Sequence, residues 1–516
     1  MKYTVVSSAE FTYPDIWDYP SSSDKIDIFG ARDSYACFQL LLGDRGSPEV
    51  SVSFKGLPDG ADAEVYTLRS VQVERNHGIT PEQYAPHYPE RVAPYRLYEC
   101  LRTFDGTLDL TSGVGGLYVS VKLDPDCVPG DYAGSMLIDG EAIPLKLKVY
   151  SVRLPEETMK MILGFSGGAV AKYHGVEPGS KEYFDLEEKY LAMLRRVHQN
   201  MMYTGGISAK EVTPNRWEFD FSNFIAQVKR YEKAGMRYFN APSVGWRQSW
   251  SASTILVNGN IPSMSYEGYC YLSQYLPALR DVLKENGWLD RFVMGVADEP
   301  NNANCTEFRA LCGLIRKIVP EIRLIDAMSY GNLHGALDIW VPLNSEYDKH
   351  REKLETLRAS GDEIWHYVCC GPRAPGYINR FMDYPLLSTR YLHWGNYRYN
   401  LTGFLHWAAN CYQTGQDPFE LNCPEHHNTD SVCFLPAGDT HIIYPGKGEP
   451  WMSIRLEAQR EGAEEYELLS LLAKTDKAAA DALCAKVFRS FKDVEYDIAV
   501  ITDVKRSLLE ALSKSK

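Results

Sequence analysis

No run of about 18 apolar residues occurs anywhere in the sequence, so no segment reads as a transmembrane helix. The first ten residues, Met1-Lys2-Tyr3-Thr4-Val5-Val6-Ser7-Ser8-Ala9-Glu10, lack the apolar core of a secretory signal. The expectation is a cytoplasmic protein, or an exported one if a leader has been removed. Basic charge is in the minority: 54 Lys and Arg stand against 68 Asp and Glu, a net charge of −14. Nucleic acids and anionic membranes both require a basic face, so neither is expected as a partner. The 12 Cys are scattered without any Cys-x-x-Cys, apart from the adjacent pair Cys369-Cys370. Neither a zinc site nor a disulfide framework is readable, and reduced thiols are expected. No Gly-x-Gly-x-x-Gly follows an early strand and no phosphate loop is present, which removes the common nucleotide-binding folds. No metal or organic cofactor is expected.

What is present is a chain of 516 residues, too long for one ordinary core, so two or three domains are expected. Its 45% hydrophobic and 24% charged residues are those of a globular protein. Aromatics reach 12%, with 10 Trp and 34 Tyr. Their flat faces stack on sugar rings, although they are also ordinary core material.

Residues 1–157 read as all-β. Phe38–Leu42, Val50–Phe54 and Leu117–Leu123 are short strand-like runs, and Pro58-Asp59-Gly60 and Pro129-Gly130-Asp131 are turn signals. Tyr132–Ile138 and Ile143–Tyr150 read as a hairpin joined by Asp139-Gly140-Glu141. This punctuation predicts a β-sandwich, interrupted by a long irregular insertion over Arg75–Arg96.

Residues 158–452 alternate strands with helices. Strands are predicted at Lys160–Gly167, Gln199–Gly205, Arg237–Val244, Phe292–Asp298, Arg323–Ser329, Asp338–Leu343, Glu363–Cys370 and Gly403–Asn410. Helical patterns lie at Lys181–Val197, Phe221–Ala234, Leu272–Asn286, Glu307–Val319 and Tyr347–Ser360. Eight strands with helical crossovers predict an α/β fold, a (β/α)8 TIM barrel. Residues 453–516 read as a helical extension that braces the barrel.

Within the barrel, Phe292-Val293-Met294-Gly295-Val296-Ala297-Asp298-Glu299-Pro300 is the stretch that carries chemistry. A strand buried on both faces ends in two adjacent carboxylates. Inside the strand one of them would face the core; at its carboxyl end both open into the cleft where barrel active sites form. Pro300 stops ladder pairing and biases Glu299 towards an extended conformation. The bland alternative is that both acids cap the next helix, with Asn301, Asn302, Asn304 and Thr306 following.

Other strand ends add aromatic and amide groups: Asn344 and Tyr347 after strand six, Tyr367 on strand seven, Trp407 on strand eight, and Arg390 and Trp394 between the last two. Flat faces and hydrogen-bonding groups around two carboxylates suit a sugar ring. His366 and His406 lie in apolar runs and read first as satisfied interior histidines. Neighbouring acids on one strand cannot flank a glycosidic bond across the about 5 Å or 6.5–9.5 Å that paired catalytic carboxyls need. They suit substrate assistance, in which a 2-acetamido oxygen attacks the anomeric carbon.

Phe292–Pro300, Trp340-Val341-Pro342, Trp365-His366-Tyr367 and Gly403-Phe404-Leu405-His406-Trp407-Ala408-Ala409-Asn410 resemble family 123 of the glycoside hydrolases. So do Tyr444-Pro445-Gly446, Ser453-Ile454-Arg455-Leu456-Glu457-Ala458 and Gly462-Ala463-Glu464-Glu465-Tyr466-Glu467. The resemblance covers the barrel and helical tail strongly and the β-sandwich more loosely. It implies a β-N-acetylgalactosaminidase-like retaining enzyme acting on a glycan, with Asp298 orienting the acetamido group and Glu299 as general acid/base. Trp407 would floor the reacting-sugar subsite, and Tyr367, Tyr347, Asn344, Trp394 and Arg390 are further substrate-binding candidates. The alternatives are a glycosidase for a non-acetamido sugar and a catalytically silent glycan-binding protein. Epimer, linkage and oligomeric state are not legible in the sequence.

Overall fold

A computed structural model describes residues 2–77, 91–110, 113–328, 332–373, 376–427 and 432–514. The insertion expected over Arg75–Arg96 therefore lies mostly outside the described residues.

The early strand-like runs form two sheets. The larger is antiparallel, in the order Lys2–Ser7, Ser34–Gly43, Gly115–Leu123, Ala61–Val73, Tyr95–Thr103, Pro450–Ser453 and Ile443–Pro445. The smaller holds Ile26–Arg32, Glu141–Arg153, Gly130–Ile138 and Val52–Lys55. Alternation sorts the side chains. Phe38, Leu40 and Leu42 share one core with Leu117 and Val119 and with Met136, Leu145 and Leu147 of the smaller sheet. Leu41 and Tyr118 turn the other way, into the main core of the molecule. Both faces of that strand are covered, which is why Phe38–Leu42 is apolar without clean alternation. The predicted hairpin forms, turning at Asp139 (φ 51°) and Gly140 (φ 86°), the left-handed pair that matches strand twist.

Each of the eight later stretches contains a strand: β1 (Lys160–Leu163), β2 (Met201–Tyr203), β3 (Tyr238–Ala241), β4 (Phe292–Gly295), β5 (Arg323–Met328), β6 (Ile339–Pro342), β7 (Glu363–Ile364 with His366–Tyr367) and β8 (Gly403–His406). All pair in parallel. β2 to β6 and the first half of β7 make one sheet, while β1, β8 and the second half of β7 make another. The expected ring of ladders is thus not continuous, because β1 and β2 are not laddered. Side chains span that seam instead: the Asn200 Oδ1 accepts from Met161 N at 3.1 Å, and the Gln199 Oε1 from Leu163 N at 3.2 Å. The fold is mixed α/β with a sheet-rich N-terminal region.

The helices are α1 (Gly167–His174), α2 (Lys181–Arg196), α3 (Ser222–Lys233), α4 (Tyr266–Glu285), α5 (Cys305–Ile318), α6 (Asn344–Ala359), α7 (Leu386–Tyr399), α8 (Ile454–Ala473), α9 (Lys477–Val487) and α10 (Ile498–Lys514). α8 is buried on all sides. Most of its charges survive there by meeting opposite ones: Arg455 with Glu99 of the large sheet, Glu457 and Glu464 with Arg460, Glu457 also with Arg196, and Glu461 and Glu465 with Arg390; Glu467 instead accepts from Thr158 and the Met159 amide. Removing one member of such a buried pair strands the other, at a cost of about 3–5 kcal/mol. α8 therefore ties the N-terminal sheet to α2 and α7 and, through Lys505, to α10. No helix among the described residues is long and apolar enough to cross a membrane.

Candidate active site

The apolar run Phe292–Gly295 lies between β3 and β5, and the chain leaves it at Val296. Asp298 (φ 51°) and Glu299 (φ 36°) then both occupy the left-handed region, which two successive non-glycine residues rarely share. This reverses the expectation that Pro300 holds Glu299 extended, and the reason is tertiary. Asp326 on β5 offers a single oxygen, Oδ2, to the amides of Val296, Ala297 and Asp298 at 3.2, 2.9 and 3.1 Å. Arg247, in the loop after β3, donates from Nη2 to the carbonyl of Asp298 and, at 3.1 Å, to that of Glu299. Amides on one side and carbonyls on the other are thus both held. The acids do not cap α5, whose N-cap is Asn304.

The Glu299 carboxyl reaches across to β7, where the Tyr367 hydroxyl donates to Oε1 at 2.6 Å. Asp298 faces the cleft and is reachable from solvent, yet protein surrounds its carboxyl. Desolvation first, then the Glu299 charge, push it up to about 6 against the pull of Arg247. Burial likewise pushes Asp326 up to about 8, with Asp298 adding to it and the amide donors opposing. Tyr203, at the end of β2, presents its ring to the cleft at 39% exposure. Burial of its hydroxyl, with Asp298 and Asp326 nearby, pushes the phenol upwards.

Trp407 follows β8, half-buried, its indole N–H donating to Asp439 Oδ2 at 3.2 Å. Asp439 is itself wholly buried, and burial drives its carboxyl well upwards. Cys369 and Cys370 close this side near Glu299. A hydrogen bond from Cys369 pulls the Cys370 thiol down to about 6, assisted by Arg373 and opposed by burial.

Of the eight residues expected at the site, the structure brings together Asp298, Glu299, Tyr367 and Trp407. The other four lie elsewhere. Asn344, at the start of α6, is fully buried and donates to the Ile378 carbonyl at 2.8 Å. Tyr347 packs on Tyr399 and Phe491 and donates to Glu355 Oε1 at 2.8 Å. Arg390 and Trp394 belong to a helix, α7, that the sequence reading did not predict. Both face α8: Trp394 donates to Glu465 Oε2 at 2.8 Å, and Arg390 to the same oxygen at 2.9 Å and to Glu461 at 2.8 Å. His366 donates to Asn396 Oδ1 at 2.9 Å, and His406 meets Arg380 at 2.7 Å, both in the interior. Asp326, Arg247, Tyr203 and Asp439 were missed. Only Asp326 left a trace, as a lone acid inside the apolar run Leu324-Ile325-Asp326-Ala327-Met328. Among the described residues no cluster of three metal-ligating side chains occurs.

Residues 165–472 match the family described as "Glycoside hydrolase 123, catalytic domain". Among solved structures, a family 123 glycoside hydrolase from Clostridium perfringens, reported for glycolipid glycan hydrolysis, superposes with a TM-score of 0.75. It is 14% identical, over 100% of this chain and 97% of that one. A putative β-galactosidase from Bacteroides fragilis gives a TM-score of 0.33 at 12% identity, over 88% of this chain and 60% of that one. A β-galactosidase from the psychrophilic Marinomonas ef1 gives 0.36 at 11%, over 68% and 65%. No match is found among curated proteins. With well over half of its length inside the family's catalytic domain, and its acid pair at the end of β4, the chain belongs to glycoside hydrolase family 123.

Proposed function

We propose that the protein is a retaining glycosidase that releases a terminal β-linked N-acetylhexosamine, N-acetylgalactosamine in preference to its gluco epimer, by substrate assistance. The eight parallel strands are read as a (β/α)8 barrel closed at the β1–β2 seam by Gln199 and Asn200, beside an N-terminal β-sandwich. Residues 1–157, 158–452 and 453–516 are its three parts, with the strands at 443–453 reaching back to the first.

The observation that carries the reading is the different surroundings of two adjacent carboxyls. Oε1 of Glu299 is occupied by the Tyr367 hydroxyl, which leaves Oε2 to carry the transferable proton. Asp298 sits apart from that bond, in the field of Arg247. Glu299 protonates the glycosidic oxygen as the anomeric C–O bond breaks. The 2-acetamido oxygen attacks the same carbon, and Asp298, as the anion, accepts the acetamido N–H and stabilises the positive oxazolinium. Glu299, now the anion, takes a proton from the water that reopens the ring, and configuration is retained. Trp407 offers its face to the reacting sugar.

The test is hydrolysis of chromogenic β-N-acetylgalactosaminide and β-N-acetylglucosaminide by wild type, Glu299→Gln and Asp298→Asn, with a thiazoline analogue as inhibitor. Loss of about 10²–10⁴-fold in both variants and strong thiazoline inhibition are expected. Full activity in both variants overturns the site. Silence of the wild type on both substrates overturns the acetamido sugar and leaves a glycosidase for another one.

A further inference from the structure

All ten tryptophans lie among the described residues, and only Trp246 and Trp250 are exposed, each by 43%. Both sit in the loop between β3 and α4, which is bound to the turn that carries the acid pair. Arg247 donates from Nη1 to the Trp250 carbonyl at 2.7 Å while its Nη2 holds the carbonyls of Asp298 and Glu299. Asn301 donates to the same Trp250 carbonyl at 2.6 Å, and Asn304 to that of Ala252 at 3.1 Å. The asparagines that looked like helix caps in the sequence therefore brace this loop. Trp246 is fixed separately: its backbone bridges Leu256, and its indole N–H donates to the Gly259 carbonyl at 2.6 Å.

A single exposed apolar side chain needs no partner, but two indoles four residues apart on the loop that grips the acid turn offer a ligand of that site an apolar surface. The Trp246 indole N–H is already spent inside the loop, so what it offers a ligand is its apolar surface. Apolar ring faces exposed on the loop that is bound to the acid turn match the C–H faces of a neutral sugar. An enzyme that removes a terminal residue has the rest of its glycan on the leaving-group side alone.

We infer that Trp246 and Trp250 form a stacking platform for the leaving portion of the substrate, the neutral sugars beyond the scissile bond. The inference rests on the glycosidase reading proposed above. Because the loop is braced before ligand arrives, the platform loses little conformational freedom on binding. Its gain appears with substrates that extend past the reacting sugar.

The test compares wild type, Trp246→Ala, Trp250→Ala and the double variant on two substrates. One is a neutral trisaccharide ending in β-N-acetylgalactosamine; the other is methyl β-N-acetylgalactosaminide, whose one-carbon leaving group cannot reach the indoles. In the double variant, KM for the trisaccharide is expected to rise about tenfold or more, and the loss on the methyl glycoside to be at least several-fold smaller. Equal losses on both substrates overturn the platform and leave the loop as a brace for the acid turn. An unchanged trisaccharide KM also overturns it. If the wild type cleaves neither substrate, the glycosidase specificity fails by itself. The platform is then read from tryptophan fluorescence on titration with lactose: saturable quenching lost in the double variant supports it, and no quenching in the wild type overturns it.

Discussion

Tyr367 donates its hydroxyl to Oε1 of Glu299 at 2.6 Å, across the cleft from β7 to the end of β4. The bond fixes one carboxyl oxygen and thereby the direction of the other. Tyr367→Phe is expected to lower kcat by about 10–100-fold while the fold persists, more for unactivated leaving groups than for activated aryl ones. Unchanged kcat on a natural glycoside, measured at saturation, would show that Glu299 needs no such orientation.

In the proposed mechanism Asp298 acts as the anion, and its surroundings push its carboxyl up to about 6. The anion is present above that value and is lost as pH falls through it. The pH profile of kcat/KM, which reports the free enzyme, is therefore expected to fall on the acid side near pH 6. The residual activity of Asp298→Asn should lack that limb. An acid limb unmoved in the variant would assign it to another group.

Asp326 touches three successive amides with one oxygen, which makes it a positioning residue for the left-handed turn at Asp298 and Glu299. Asp326→Ala leaves those donors without their acceptor, with an expected loss of about 2–4 kcal/mol in denaturant unfolding and a large fall in kcat. Asp326→Asn keeps a carbonyl acceptor and should recover part of both. An alanine variant as stable and active as wild type would remove the clamp from the account.

His198 sits between Glu157, in the segment leading into β1, and Glu464 of α8. Burial opposes its charge, but the two carboxylates carry it up to about 9. A folded value raised above 6.5 contributes stability that is complete below pH 6.5 and lost as pH rises through 9. The contribution is on the order of 3 kcal/mol. Thermal melts should thus decline between pH 6.5 and 9 in wild type, and less in His198→Asn, a residue that tolerates its φ of 65°. Parallel declines in the two proteins would overturn the pairing.

Cleft residues separated widely in sequence were the hardest to read. The carboxyl ends of β2, β4, β7 and β8 supply Tyr203, Asp298, Tyr367 and Trp407, the interior of β5 supplies Asp326, and nothing local marks Tyr203 as a neighbour of Asp298. Arg390-Tyr391-Leu392-His393-Trp394 has the composition of a polar aromatic cleft, yet it is a helix whose polar groups answer the buried acids of α8. α8 itself spaces its acids as a solvated face does, and burial on every side was invisible because the compensating arginines lie on other elements.

Local pattern alone determined most of the strands and helices, though not α1 or α7, and that two acids leave a buried strand together, because burial and backbone pairing leave their mark on consecutive residues. Only the tertiary structure decided that the two acids adopt left-handed φ, that Tyr367 holds one of them, that Asp326 and Arg247 grip their backbone, and that the loop carrying Trp246 and Trp250 is bound to their turn. Each of those depends on groups tens of residues away, whose approach is set by packing rather than by any neighbour in the chain.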